Sequence, residues 1–288
     1  MQTENRFRHS VWLMVVVVGA VLSFGTSVVT GSPAAKQEPA NSDSLPPRQM
    51  EIEKQRKRLS SGDVEERRDA LTRLGSMHHK DASLVALPGL ADADAMVKVT
   101  AAQAILALPA EEAARSLMPL VNDPDDFVRR EVAYALGKTR SRLAVAPLTE
   151  RLLTDKVDEV RGAAAVALGE IGDETAVSPL ASILNPQLGI VPTKGKKKKK
   201  QAENPFVLRA AARSLGLIGS RGGLSSLIYA LQDVQGESDV RRESAIALGA
   251  VGDSSALPSL REALTASDPY LSQAAQAAIN KIVNSKLK

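Results

Sequence analysis

The feature that most constrains this chain is an internal repeat. Four segments share an alanine-rich pattern that ends in leucine and glycine. The final glycines of the first two segments lie 32 residues apart, and those of the last two lie 33 residues apart. The segments are VRREVAYALG from Val128, VRGAAAVALG from Val160, VLRAAARSLG from Val207 and VRRESAIALG from Val240. A repeat of this length indicates a stack of similar units, because one unit buries its apolar face only against the next.

Each unit is predicted to hold two helices. The VR segment places small apolar residues at helical spacing, which defines a VR helix in each unit. The second helix carries an early proline, tolerated in a first turn because its missing N–H would have no partner there. The prolines are Pro119, Pro147, Pro179 and Pro258. Gly75, Leu106 and Ile279 fill the glycine column of three further units. The sequence therefore predicts an all-α solenoid of about seven helix pairs.

One interval departs from the repeat. Gly169 and Gly216 are 47 residues apart, and the surplus contains the sequence TKGKKKKKQ. The six lysines and one glutamate between Asn185 and Pro205 give +5, so the remainder of a chain with net charge +4 carries −1. The residues concerned are Lys194, Lys196, Lys197, Lys198, Lys199 and Lys200. They fit either an electrostatic contact with an anionic surface or a solvated insertion without a ligand.

The N-terminus has the pattern of an export signal. Arg6 and Arg8 precede an apolar run that extends from Val11 to Phe24, and small residues follow it. We predict a signal peptide or membrane anchor over 1–35, a disordered spacer over 36–48, and a repeat array over 49–288 with a lysine-rich insertion at 186–203. The array is expected to be exported, either periplasmic or secreted, and anchored only if the signal is not cleaved.

The repeat pattern resembles a known family. Residues 154–180, TDKVDEVRGAAAVALGEIGDETAVSPL, resemble the short HEAT repeats of the phycobilin-lyase type, and the resemblance covers 60–284. It implies that the VR helices line a concave face and that a ladder joins arginines to turn aspartates. The matching positions are Arg67, Arg129, Arg161, Arg241, Asp155, Asp173 and Asp253. Lys98 and Leu208 depart from the pattern, which leaves the ladder open to a break there.

Two variable columns of the VR helix are predicted to face the groove, because they lack the small-apolar character of the core columns. Arginine recurs in them, and arginine and tyrosine are enriched at binding hot spots. The candidate partner-binding residues are Arg68, Arg130, Tyr134, Arg209, Arg213, Arg242 and Ile246. The hypothesis is a mildly basic groove that grips an acidic or extended protein segment. An ordinary solvated face fits the same composition equally well.

The residue inventory narrows the chemistry. The chain has no cysteine, which excludes disulfides, thiolate nucleophiles and cysteine-ligated zinc. It has no His-Glu dipeptide, the ligand pair carried by the deoxyhypusine hydroxylases of this repeat class. His78 and His79 are adjacent, but no third histidine follows in the mature chain, so a surface turn is favoured over a metal site. We expect no catalytic residue, cofactor or metal.

The predicted function is a non-catalytic scaffold or adaptor of the cell envelope that binds a protein partner in the concave groove. One alternative is a lyase-like or chaperone-like subunit that assists assembly of a cofactor-bearing protein. A second is a membrane-anchored structural protein whose lysine-rich insertion contacts anionic surfaces. Nucleic acid is not favoured as a partner, because aromatic residues make up only 3% of the chain.

Overall fold

The computed structural model describes residues 45–188 and 203–285, and in those ranges it contains fourteen α-helices and no strand. The predicted all-α solenoid is confirmed. The helices are α1 (Pro47–Arg58), α2 (Val64–Ser76), α3 (Lys80–Ala86), α4 (Ala95–Ala104), α5 (Ala110–Leu117), α6 (Asp126–Thr139), α7 (Val145–Thr154), α8 (Asp158–Ile171), α9 (Val177–Leu184), α10 (Pro205–Ile218), α11 (Leu224–Gln232), α12 (Ser238–Val251), α13 (Leu257–Ala263) and α14 (Pro269–Ser285). The even-numbered helices are the VR helices.

Several sequence predictions fall outside the described residues. These are the signal segment, most of the spacer and the six lysines of the insertion. Helix α1 begins at Pro47, two residues before the expected start of the array at Gln49. Among the helices of 45–188 and 203–285, none combines the length and the apolar character needed to cross a bilayer.

Side-chain caps start most of the VR helices. Asn204 and Asp268 accept hydrogen bonds from the backbone N–H groups of Phe206 and Tyr270, as their position before a proline suggests. Asp125, rather than Asp123, caps α6 through the N–H of Phe127. Caps of this kind satisfy donors that the first helical turn leaves without a partner.

The glycine column does not end the VR helices as the sequence suggested. Gly137, Gly169, Gly216 and Gly249 all lie within helices, and α8, α10 and α12 instead end three residues later, at left-handed glycines with φ between 71° and 75°. The column glycines serve close approach. A Cβ at Gly216 would lie 2.8 Å from the Cα of Ala247 in the next VR helix.

This close approach sets the layering. Each VR helix packs directly on the next, whereas successive odd-numbered helices contact one another less. The VR helices therefore form the closely spaced layer, here called the inner layer, because a stack that is more tightly spaced on one side is expected to curve toward that side. The insertion leaves the spacing intact, because a Cβ at Gly169 would meet the Cα of Ser214 at 2.8 Å and one at Gly137 would meet that of Ala167 at the same distance.

Leucines and alanines fill the space between the two layers. Leu136, Leu168, Leu215 and Leu248 occupy equivalent positions in successive VR helices and are almost fully buried. They form part of one continuous core that runs from α1 to α14. Because each unit packs its core against its neighbours, the stability of the array depends on the contacts between units.

Candidate interaction surfaces

A row of ion pairs, here called the ladder, joins successive VR helices at their N-terminal ends. In α2, α4 and α6 the base is the fourth helical residue, and its acid lies in the turn before the next VR helix. The first and third pairs are bidentate. Arg67 donates to both carboxylate oxygens of Asp92, over 2.7 and 2.9 Å. Arg129 does the same to Asp155, over 2.9 and 3.1 Å.

Lys98 maintains the second pair. Its ammonium group lies 2.7 Å from Asp123, so replacing arginine by lysine does not break the ladder at this position. Lysine provides a single charged contact where arginine provides a fork, which is why this pair is monodentate.

The ladder acids share one turn geometry. Oδ1 of Asp92 accepts the N–H of Asp94, and Oδ1 of Asp155 accepts the N–H of Val157, each two residues further on. Each acid also directly follows the last residue of the preceding helical segment. The turn therefore fixes Oδ1 on the backbone and presents Oδ2 to the base of the neighbouring VR helix.

These contacts hold the ladder acids ionised. The hydrogen bond from Arg67 lowers the pKa of Asp92 against the opposing effect of burial. Burial by itself would raise the pKa of Asp155, but the hydrogen bonds from Arg129 and the backbone outweigh it, so the pKa lies below its ordinary value.

The C-terminal half departs from the predicted ladder. Arg161 pairs with Glu203, the last residue of the predicted insertion, and also with Asp158. Arg241 donates through Nε to the carbonyl oxygen of Leu231, 2.9 Å away. Leu208 occupies the base position of α10 and carries no charge.

Asp173 and Asp253 lie in a second row of ion pairs. Asp173 lies 3.0 Å from Arg142, and Asp253 lies 2.9 Å from Arg221. Both arginines belong to short 3₁₀ turns that precede odd-numbered helices, and their side chains are more than 80% exposed. The family resemblance implied that these aspartates belong to the ladder, and that prediction is wrong for Asp173 and Asp253.

Most arginines of the predicted groove have acidic neighbours. Arg68 pairs with Glu65 over 2.5 Å, and Arg209 lies 3.5 Å from Asp239. Arg130 bonds Glu131 and lies over the Phe127 ring, 5.1 Å from its centroid. Arg242 pairs with Asp239 and Asp268 and lies 5.6 Å from the Tyr270 centroid. The predicted basic groove is thus largely neutralised. The acids that lie three residues before Arg68 and Arg242 were a sequence signal for this.

Three of the exposed side chains on the VR helices α10 and α12 are here called the inner patch. Leu217 and Ile246 have relative exposures of 59% and 54%, and Arg213 is exposed without an ion pair among the described residues. Arg213 and Leu217 share one face of α10, and Ile246 of α12 is the repeat equivalent of Arg213. Leu217 was not among the predicted binding residues, because it directly follows the glycine column and lies outside the two variable columns that the sequence indicated. Tyr134 instead packs partly against the core, and burial raises its pKa.

The second surface is a cleft of about 940 Å³ beside the C-terminal part of the ladder. It lies where α8 and α9 meet α10, α11 and the start of α12. The residues that define it here are Arg161, Leu184, Leu208, Tyr229, Asp233 and Glu237. Its volume falls in the range of pockets that hold ligands in proteins.

The histidine pair has a structural role in part. His79 caps α3 by accepting the N–H of Asp81 on Nδ1, 3.2 Å away. Within the described ranges, no group of three or more histidine or acidic side chains is arranged to hold a metal ion.

These features place the protein in the class of α-solenoids. Its helix pairs are joined by ion pairs and share a continuous inner layer. A family profile for HEAT repeats matches residues 83–169, 120–191 and 199–280. The chain belongs to the HEAT-repeat family, as its sequence pattern predicts. A search of curated proteins finds no match.

Solved structures with a similar arrangement of helices include three proteins. Human deoxyhypusine hydroxylase in complex with glycerol is 19% identical, with 81% of this chain and 84% of that chain covered and a TM-score of 0.41. The CpcE and CpcF complex of phycocyanin lyase from a Nostoc species is 20% identical, with 88% and 93% covered and a TM-score of 0.47. YibA of Escherichia coli is 18% identical, with 80% and 92% covered and a TM-score of 0.45.

Proposed function

We propose that this HEAT-repeat protein is a non-catalytic scaffold of the cell envelope that binds a protein partner on its inner layer. The inner patch is the observation that carries the proposal. Leu217 and Ile246 are large apolar side chains exposed on the neighbouring helices α10 and α12, and Arg213, on the same face of α10 as Leu217, has no ion pair among the described residues. Apolar anchors beside arginine are typical of binding hot spots.

The neutralised arginines refine the partner's chemistry. Because Arg68, Arg130 and Arg242 already have acidic neighbours, a strongly acidic partner would gain little from them. The inner patch instead favours an extended or helical segment with apolar side chains and one carboxylate opposite Arg213. Export of the chain is supported by the basic and apolar pattern of residues 6–24.

The test is cross-linking in the envelope followed by mass spectrometry, with the full chain and two variants. The first combines Arg213→Ala, Leu217→Ser and Ile246→Ser. The control combines Leu84→Ser and Leu143→Ser, two leucines with exposures of 40% in the odd-numbered layer and its turns.

We expect one stoichiometric protein partner with the native chain and with the control, and its loss with the inner-patch variant. Both variants should unfold near the native midpoint, because each substituted leucine or isoleucine is already at least 40% exposed in the folded chain. Retention of the same partner by the inner-patch variant would refute the proposed site.

A further inference from the structure

One pair of the ladder has its acid but lacks its base. Leu208 occupies the fourth position of α10, where α2, α4 and α6 carry a lysine or an arginine. Asp233 follows Leu208 by 25 residues, the same separation as between Arg67 and Asp92. The chain thus places an aspartate where a ladder acid is expected, opposite a side chain that donates no hydrogen bond.

Asp233 also has the geometry of a ladder acid. It directly follows the last residue of α11, as Asp155 follows α7. Its Oδ1 accepts the N–H of Gln235 at 3.2 Å, as that of Asp155 accepts the N–H of Val157 at 3.0 Å. The Oδ2 atom, which takes the arginine Nε in the complete pairs, has no donor among the described residues.

The unpaired carboxylate opens onto the cleft. Leu208, Leu184 and the ring of Tyr229 supply apolar wall, and Glu237 adds a second carboxylate at the same end. The turn after Asp233 is two residues longer than the ladder turns, since three residues lie between Asp233 and the cap position of α12 where one lies between Asp155 and that of α8. The longer turn leaves the carboxylate exposed instead of covered.

Among the described residues, no other charged side chain around the cleft forms an ion pair with Asp233. Arg161 is held by Asp158 and Glu203, and Lys156 forms no ion pair in the described ranges. Arg241 lines a smaller cavity that shares Asp233 with the cleft, and its Nε is bound to a backbone carbonyl. Among the described residues that line the two cavities, the acids Asp158, Glu203, Asp233 and Glu237 outnumber the bases Lys156, Arg161 and Arg241, which favours a cation there.

We propose that the cleft binds an arginine side chain presented by a partner protein, which completes the interrupted ladder pair from outside the chain. The guanidinium binds Asp233 in the bidentate way that Arg67 binds Asp92, with Glu237 beside it. The aliphatic stem packs along Leu208 and Tyr229, since arginine covers apolar surface while its head group stays polar. Arginine fits better than lysine because the internal template is a fork.

This contact goes beyond the proposed inner-layer function and lies on a different edge of the array. The test uses the isotope-labelled full chain and the peptide acetyl-Gly-Gly-Arg-Gly-Gly-amide as probe. The control peptide carries citrulline, which has the shape of arginine without its charge. Binding is measured by amide chemical shifts.

Two variants test the site from opposite directions. Asp233→Asn removes the acceptor charge at an exposed position, and Leu208→Arg supplies the missing base within the chain. The matched control is Glu174→Gln, an exposed acid in the turn before α9. We expect the probe to shift the amides of residues 233–237 in the native chain and in the control, and to bind roughly tenfold more weakly in both site variants, the loss of a charge-assisted bond.

Other outcomes would overturn the proposal. Equal binding of the citrulline peptide would exclude a charge-dependent site, and undiminished binding by Asp233→Asn would exclude this acid. Tighter binding after replacement of the six lysines by serine would mean that the chain's own lysines compete for the cleft and that no partner is needed. The inner-patch variant should bind the probe normally, so failure of either proposal is recognised separately.

Discussion

Arg129 extends from α6 to the turn before α8 and binds both carboxylate oxygens of Asp155, with its Nε 2.9 Å from Oδ2. The same arginine donates to the carbonyl oxygen of Asp123, 2.9 Å away, in the turn before its own helix. One side chain therefore ties two consecutive turns of the array.

Removal of this arginine should destabilise the fold. The side chains of Arg129 and Asp155 are only 14% and 1% exposed, so Arg129→Met would leave a buried carboxylate with Arg151, 3.6 Å away, as its remaining counter-charge. We expect the free energy of unfolding to fall by about 3 kcal/mol. The control is Arg115→Met, whose pair with Glu111 has exposures of 62% and 65% and should cost less than about 1 kcal/mol. Urea denaturation measures both, and equal losses would contradict a special role for the ladder.

Addition of one methyl group at the inner layer should also destabilise the fold. Gly216→Ala would normally favour a helix, but here the new Cβ would lie 2.8 Å from the Cα of Ala247. We expect a loss of about 1–3 kcal/mol, because two helix backbones must separate. Gly62→Ala is the matched control, since nothing lies within 4 Å of its added Cβ. A stabilised Gly216→Ala variant would show that the helices tolerate wider spacing.

Acid should weaken the array. Several paired carboxyl groups, including Asp92 and Asp155, have pKa values below their ordinary range in the folded state. As the pH falls below about 4, the unfolded chain takes up protons before the folded chain does, so the free energy of unfolding decreases. Unfolding midpoints in urea should be flat near neutrality and fall in acid.

An Asp92→Asn variant isolates this effect. It should be less stable than the native chain at neutral pH, and the difference should shrink as the pH falls through the folded-state pKa of Asp92. A difference that grows with acid would show that Asp92 is not held ionised by Arg67.

The insertion should matter for stability only at its end. Replacement of 189–202 by a glycine-serine linker of equal length should leave the unfolding midpoint almost unchanged, because α8 and α10 approach as closely as α6 and α8. Glu203→Gln should cost about 2 kcal/mol, since Arg161 is 14% exposed and loses a charged hydrogen-bond partner. A large midpoint drop with the linker, measured by thermal unfolding, would show that the array depends on the replaced residues.

The repeat period and the composition of its columns determined the fold class from the sequence alone. Small residues at helical spacing, early prolines and the surplus between Gly169 and Gly216 are local signals, and they place helix pairs and an insertion without reference to other units. The resemblance to short HEAT repeats pointed to Arg67, Arg129 and Arg161 as ladder bases, because each occupies the same position in its own helix.

Only the tertiary structure decided which acid meets each base and which glycine supports a contact. A turn aspartate is available at two places in a repeat, and the packing of consecutive units brings Asp155 to Arg129 but Asp173 to Arg142. The column glycines lie inside their VR helices and face the next VR helix. This role depends on the direction from which neighbouring units approach each other, which the sequence does not show. Asp233 has no ion pair among the described residues because Leu208, at the base position of α10, carries no charge, and Arg213 likewise has none.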